Sequence, residues 1–193
     1  MNTLFPIFLK LENLKLLIVG GGFVGLEKIS GVLKNSPQTH IVLVAPEIRD
    51  EIITFDKSHT NLTLVYEKYD TKFLEDKDLV IIATNDKAMN IQIKADCKAR
   101  RILANVADTP DQCDFYLSSV VQKGDLKIAI STNGKSPTFA KRFREVLEEM
   151  LPESLQETLD NLQQIRNSLK GDFQAKLEYL NEVTKSMKGK VKK

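Results

Sequence analysis

No run of about 18 apolar residues occurs in this 193-residue chain, so no membrane-spanning helix is expected. The first residues, MNTLFPIFLKLEN, lack the basic start and small-residue cleavage site of a secretory leader, and a cytoplasmic location is expected by default. Cysteine is scarce: Cys97 and Cys113 form no C-x-x-C pair, so free thiols in a reducing compartment are expected, with neither disulfide nor zinc. Histidine is equally scarce. His40 opens an apolar run and His59 lies in a polar segment, which suggests structural or solvated roles and no metal centre. Charge of one sign is not in excess either. The net charge of +2 argues against general nucleic-acid binding. The exception is the C-terminal end, where Lys185, Lys188, Lys190, Lys192 and Lys193 stand without acidic company and read as a solvated tail. No internal repeat is visible. With 42% apolar and 28% charged residues, the composition is that of a soluble globular protein with one core and a smaller appended unit.

What is present begins with glycine. Leu14 to Val19 is an apolar run, and Gly20-Gly21-Gly22-Phe23-Val24-Gly25 follows at once. Next comes a helical pattern with Leu26, Ile29, Val32 and Leu33 on one face. Strand, Gly-x-Gly-x-x-Gly and helix together form the entry to a dinucleotide-binding unit. Gly20 lets the chain turn off the strand, Gly22 lets the backbone approach a pyrophosphate, and Gly25 lets the helix pack close to the sheet. The helix N-terminus supplies free N–H groups and a partial positive charge.

Further strands are expected at His40–Val44, Leu62–Tyr66, Leu79–Ala83 and Ile102–Val106, with a helix over Lys87–Arg100 and a short helix plus loop within Pro46–Thr60. Continuous apolar strands alternating with helices predict a Rossmann-like parallel sheet covered on both faces. The pattern changes near residue 113. Asp114–Val121 and Leu126–Ser131 read as a hairpin around Gln122-Lys123-Gly124-Asp125, a separate small sheet that a second subunit could complete. From Ser136 the chain is helical. Ser136-Pro137 is a helix start, Pro152 ends the first helix, and Gly171 ends the second. The apolar stripes of the three helices suggest packing within a small bundle. The expected organisation is therefore a dinucleotide-binding domain over 1–112, a hairpin and loop over 113–135, and a helical C-terminal domain over 136–193.

In such a sheet the loops after the strands face one crevice. The second strand should carry an acid at its end for the ribose hydroxyls. Here it reads Val44-Ala45-Pro46-Glu47, which puts Glu47 two residues late, in the loop. No cation stands at the strand tip, although Arg49 is near, so NAD is favoured over NADP. Thr84-Asn85-Asp86 follows the fourth strand, and Asn105-Val106-Ala107-Asp108 runs out of the fifth. A carboxylate at Asp108 could accept a proton during oxidation, or could simply form a turn before Thr109-Pro110. Ser131-Thr132-Asn133-Gly134-Lys135-Ser136 gathers hydroxyls, an amide, an ammonium and a helix start, either as an anion site or only as a cap and loop.

Taken in order, these segments resemble the precorrin-2 dehydrogenase family, which also forms the N-terminal part of siroheme synthases. The resemblance rests on Phe5-Pro6-Ile7-Phe8, Val19-Gly20-Gly21-Gly22-Phe23-Val24 with Lys28, Val44-Ala45-Pro46-Glu47, Ala83-Thr84-Asn85-Asp86, Asn105-Val106-Ala107-Asp108, Cys113-Asp114-Phe115, and Ile130 through Pro137. It spans about residues 4 to 150. It implies NAD-dependent oxidation of a tetrapyrrole, precorrin-2, to sirohydrochlorin, and a homodimer whose hairpins interlock. It implies Asp108 as the catalytic residue. Gly20, Gly22, Phe23, Val24, Gly25, Glu47, Ile48, Thr84, Asn85 and Asn105 would form the cofactor site, and Ser131, Thr132, Asn133, Gly134, Lys135 and Ser136 the substrate loop. Some members also insert ferrous iron into sirohydrochlorin, and Asp108 would serve both reactions. Asn133 departs from the family's glycine and is expected to reshape the loop slightly. A regulatory dimer that senses NAD without chemistry, or a dimerisation module with a vestigial site, would not need Asp108.

Overall fold

The computed structural model describes residues 2–169 and 173–185. These fall into two compact units. The first comprises the residues up to Ser118 together with Ser131–Pro137; the second comprises Ser119–Ile130 and the residues from Thr138 onward.

The first unit is built on five parallel strands: β1 (Lys15–Gly21), β2 (His40–Ile48), β3 (Leu62–Val65), β4 (Leu79–Ile82) and β5 (Leu103–Val106). Their spatial order is β3-β2-β1-β4-β5. The chain moves outward from β1 to β3, then returns to the other side of β1 for β4 and β5. That reversal opens a crevice at the carboxyl ends of β1 and β4, where sheets of this kind bind ligands.

Alternate residues of β1, β2 and β4 enter two cores, as the continuous apolar runs require. Leu16, Ile18, Leu43 and Ile81 pack under Ile29, Val32 and Leu33 of helix α1 (Phe23–Asn35) and Ile52 of α2 (Asp50–Asp56). Leu17, Val19, Val80 and Ile82 pack on the opposite face with Ile93 and Cys97 of α3 (Lys87–Ala99). Asp86 starts α3, its carboxylate accepting from Ala88 N (2.9 Å) and Met89 N (3.1 Å), the bonds that a helix N-terminus otherwise lacks. Both cysteines are free, and burial pushes the Cys97 thiol up to about 11.

The stretch Asp114–Ser118, expected to be the first part of the hairpin, is not a strand. Its first two residues, Asp114 and Phe115, bond to β5 along its outer edge instead. Asp114 N donates to Ala104 O and Ala104 N donates to the Asp114 carboxylate, both at 2.8 Å. Burial alone would raise the Asp114 carboxyl, but Lys94 and the Ala104 N–H outweigh it and hold it low. This closure therefore contributes fully above about pH 4 and weakens as pH falls through the lowered value. An uncovered edge would offer its N–H and C=O groups to another chain.

The second unit contains the hairpin β6 (Ser119–Lys123) and β7 (Leu126–Ile130), followed by α4 (Pro137–Met150), α5 (Leu155–Ser168) and α6 (Phe173–Val183). Pro137, the first residue of α4, belongs to the first unit. Gln122 and Lys123 lie in the strand, so the turn is only Gly124-Asp125, with Gly124 at φ +57°. Gln156 fastens that turn: its Oε1 accepts from Asp125 N at 2.8 Å, and its Nε2 donates to Asp125 Oδ2 at 2.9 Å. Val121 and Leu155 are buried here.

Among the described residues, the apolar face of α4 is not covered as the expected bundle requires. Phe139, Phe143, Val146 and Met150 form the apolar stripe of α4, yet all are exposed, Met150 by 73%. Lys185 does have an acidic partner, Glu182, at 3.4 Å. Gly171, Lys188, Lys190, Lys192 and Lys193 lie outside the described residues.

Candidate functional site: a nucleotide cradle and the loops beside it

The glycines at the end of β1 divide by what a side chain would meet there. Gly20 has φ +121°, and a Cβ on it would stand 2.3 Å from Ala83 O. A Cβ on Gly25 would stand 2.1 Å from Gly20 O. Both positions are closed by the protein's own backbone, which joins the glycine turn to the end of β4 and seats α1 against the turn. Gly22 is the opposite case. It precedes α1 directly, and a Cβ there would meet nothing within 4 Å. The space in front of Gly22 lies at the first turn of a helix whose leading N–H groups have no intrahelical partner. That open space, kept free of side-chain atoms beside helix N–H groups, fits the pyrophosphate of a dinucleotide.

Gly21 has no role in the glycine fingerprint, yet the structure needs it. Its Cβ would lie 2.4 Å from Glu47 O. The cause is a shift of register: β2 does not end at Ala45 but continues through Pro46, Glu47 and Ile48, and Gly21 pairs with Ile48. Arg49 N closes the junction on Gly21 O at 3.0 Å. Glu47 is therefore in the strand, not in a loop as its spacing suggested; the residue is exposed, and its backbone carbonyl stands beside the glycine turn. The middle glycine of the run was the available signal, since the fingerprint requires only three of the four glycines at 20, 21, 22 and 25. Arg49, the nearby cation, turns to Glu51, with Nη2 2.6 Å and Nε 3.2 Å from its two oxygens.

Thr84 follows β4 next to Gly20. Its hydroxyl bonds with Asn90, its carbonyl accepts from Asn90 Nδ2 at 3.1 Å, and the Asp86 carboxylate is held by α3, so this loop is rigid at both ends. Asn85 between them is exposed. Asn105 differs from the other candidates. It is 7% exposed and its amide donates inward to Phe115 O at 2.8 Å.

Asp108 is exposed and has φ +57°, a left-handed conformation that aspartate accepts more readily than most residues. Among the described residues no group hydrogen-bonds its carboxylate. The segment Ser131–Ser136 reaches the same neighbourhood, since a Cβ on Gly134 would lie 3.4 Å from Pro110 Cγ, two residues after Asp108. Ser131 Oγ accepts from Asn133 N at 3.2 Å and Thr132 Oγ1 from Ser136 N at 3.1 Å. Asn133 and Gly134 both have positive φ, at 55° and 76°. Asparagine tolerates that region, so the loop keeps its bend without the glycine at 133. His59 packs on Phe55, with its Nδ1 2.9 Å from Phe55 O, and has a structural place.

The family model described as "Putative NAD(P)-binding" matches residues 7–119, more than half of the chain. The chain belongs to that family. Its match ends at the start of the hairpin, and the model "Sirohaem biosynthesis protein central" matches residues 123–150, which span most of the hairpin and α4. Siroheme synthase of Psychrobacter cryohalolentis is 38% identical over 93% of this chain and 33% of its own length. Siroheme synthase of Psychrobacter sp. is 43% identical over 79% of this chain and 31% of its own. The chain thus spans about a third of the length of the curated relatives it matches. Among solved structures, "SirC, precorrin-2 dehydrogenase" is similar over 93% of this chain and 89% of that one, with a TM-score of 0.75 and 27% identity. For this NAD(P)-binding chain, the matched region contains the glycine turn and all five parallel strands.

Proposed function

We propose that this chain is an NAD-dependent dehydrogenase that oxidises precorrin-2 to sirohydrochlorin in siroheme biosynthesis. The observation that carries the proposal is one arrangement within the first unit. The cradle at Gly22, the free carboxylate of Asp108 and the polar loop Ser131–Ser136 all lie at the carboxyl ends of the strands. The likeness to a solved precorrin-2 dehydrogenase over nearly the whole chain supports the choice of substrate.

The oxidation removes two electrons and two protons' worth of hydrogen as a hydride and a proton. NAD+, when bound, accepts the hydride. The remaining chemistry belongs to the chain. The N–H groups at the start of α1 hold the diphosphate, with Phe23 and Val24 beside it, and Gly25 sets the helix in place. Glu47 and Ile48 border the adenosine side, where a carboxylate suits the ribose hydroxyls of NAD. Arg49 is paired with Glu51 rather than presented to a 2′-phosphate. Asn85 and Thr84 would border the nicotinamide side. Asp108 takes the proton that leaves the substrate carbon. Lys135 and the hydroxyls of Ser131, Thr132 and Ser136 face the substrate's carboxylates.

The test is anaerobic incubation of the protein with precorrin-2 and NAD. NADH and the sirohydrochlorin spectrum should rise together. NAD binding without oxidation would overturn the proposal and favour a regulatory dimer. Ferrous ion added to the same cuvette then reports on chelation: insertion above the uncatalysed rate makes the chain bifunctional.

The enzyme acts as a cytoplasmic homodimer in this reading. Covering the α4 stripe would recover at most roughly 1.5–3 kcal/mol for each large side chain. A dimer covers the stripe of both protomers, eight side chains, which is enough to offset the roughly 4–15 kcal/mol that association costs, and the hairpin adds to the interface. Sedimentation should show a dimer, and Phe143→Glu should shift it toward monomer. A wild-type monomer at micromolar concentration would count against this assembly.

A further inference from the structure

β5 is the last strand of its sheet, and its outer edge is covered by Cys113-Asp114-Phe115 rather than by another strand. Asp114 pairs with Ala104 on that edge. Two residues on, the place of a backbone partner is taken by a side chain. Cys113 Sγ accepts from Val106 N at 3.2 Å and lies 3.2 Å from Val106 O, to which its S–H can donate. The same sulfur lies 3.4 Å from Thr109 O and 3.4 Å from Asn105 Nδ2. One thiol therefore touches both arms of the turn that carries Asp108. Thr109 N, donating to Val106 O at 3.2 Å, closes that turn. At its apex Asp108 is held at φ +57°, in the sparsely populated left-handed region, and its surroundings hold it there.

Resting on the dehydrogenase reading above, we infer that Cys113 is a positioning residue: its thiol, with the Asn105 amide, clamps residues 106–109 and sets the direction of the Asp108 carboxylate. Asn105 is thereby assigned to holding this turn and not to contact with the cofactor. The clamp needs a thiol that keeps its proton, because its single S–H donates to the Val106 carbonyl or, in its place, to that of Thr109. Burial raises the Cys113 thiol above its ordinary value, outweighing the Val106 N–H and Lys94, so the proton stays on at neutral pH. No disulfide and no reaction at sulfur is involved.

The test uses the full chain with Cys113→Ala and Cys113→Ser. Alanine removes donor and acceptor; serine keeps both on a shorter arm. A displacement of about 1 Å at a reacting group can cost on the order of a hundredfold in rate. Cys113→Ala should lower kcat at least tenfold, with KM for precorrin-2 and Kd for NAD within about twofold of wild type. Cys113→Ser should regain most of the lost rate. Hydrogen exchange without substrate gives a second readout: amides of residues 107–109 should exchange at least tenfold faster in Cys113→Ala and return toward wild type in Cys113→Ser. Should Cys113→Ala not fold, Cys113→Val refills the volume without a donor and takes its place. A wild-type rate in Cys113→Ala overturns the inference, and so does a serine variant as slow as the alanine one. If wild-type protein itself does not oxidise precorrin-2, the dehydrogenase reading fails, and exchange alone decides the clamp: unchanged exchange in Cys113→Ala then overturns it.

Discussion

Asp108→Asn is expected to lower the rate of precorrin-2 oxidation by about 10²–10⁴, the contribution typical of a positioned general base, while NAD still binds. Asparagine is the informative substitution here. It keeps the size of the side chain and accepts the left-handed backbone found at φ +57°, but it cannot take up a proton at neutral pH. Asp108→Ala removes the base equally and adds a conformational cost of about 1 kcal/mol, since alanine lacks that tolerance. Asp108 is exposed and, among the described residues, its carboxylate bonds to no other group, so neither change should unfold the first unit. NADH formation under saturating NAD measures the rate, and a separate titration measures NAD affinity. Unaltered turnover in Asp108→Asn would remove Asp108 from the chemistry. Loss of NAD affinity in parallel would mean that the loop serves the cofactor instead.

The glycine turn should give the other large effect, with a sharp division between neighbours. Gly22→Val places its side chain in open space, at a φ of −84° that valine adopts without strain. Thermal stability should be within a degree or so of wild type, because nothing in the protein is displaced. The space filled is the path of the diphosphate, so NAD affinity should fall by about a hundredfold or more, equivalent to roughly 2.7 kcal/mol. Gly25→Ala adds one methyl group, but 2.1 Å from a backbone carbonyl, which no rotamer change relieves. Overpacking of this kind costs typically 1–3 kcal/mol or more, and the melting temperature should fall by several degrees. Calorimetry and NAD titration on the two variants separate the roles. Normal NAD binding in Gly22→Val would refute the cradle. An unshifted melting temperature in Gly25→Ala would refute the close seating of α1 on the turn.

Much of this protein is determined by its sequence alone, because the determining forces are local. The apolar runs at Leu16–Val19, Ile41–Val44 and Leu79–Ile82 can be satisfied only by strands buried on both faces. Asp86 starts α3 with its own carboxylate, and Gly20, Gly22 and Gly25 lie at the spacing that a strand-to-helix phosphate turn requires. The order of motifs from Phe5 to Pro137 by itself resembles that of the precorrin-2 dehydrogenase family. Other features depend on which distant segments meet, and only the tertiary structure decided them. Gly21 is required because β2 runs three residues past Ala45 and brings Glu47 O against it. Asp114–Ser118 has the composition of a strand, but the unpaired edge of β5 captures it and the hairpin starts later, at Ser119. Asn105 sits where a cofactor ligand would be sought, yet Phe115 and Cys113 draw its amide inward. The stripe of α4 has a period that fits packing within a bundle, and nothing in that period tells whether the cover comes from the same chain. Periodicity and turn chemistry are short-range and can be read along the chain; the pairing of an edge, the direction of a buried amide and the approach of two backbones are long-range.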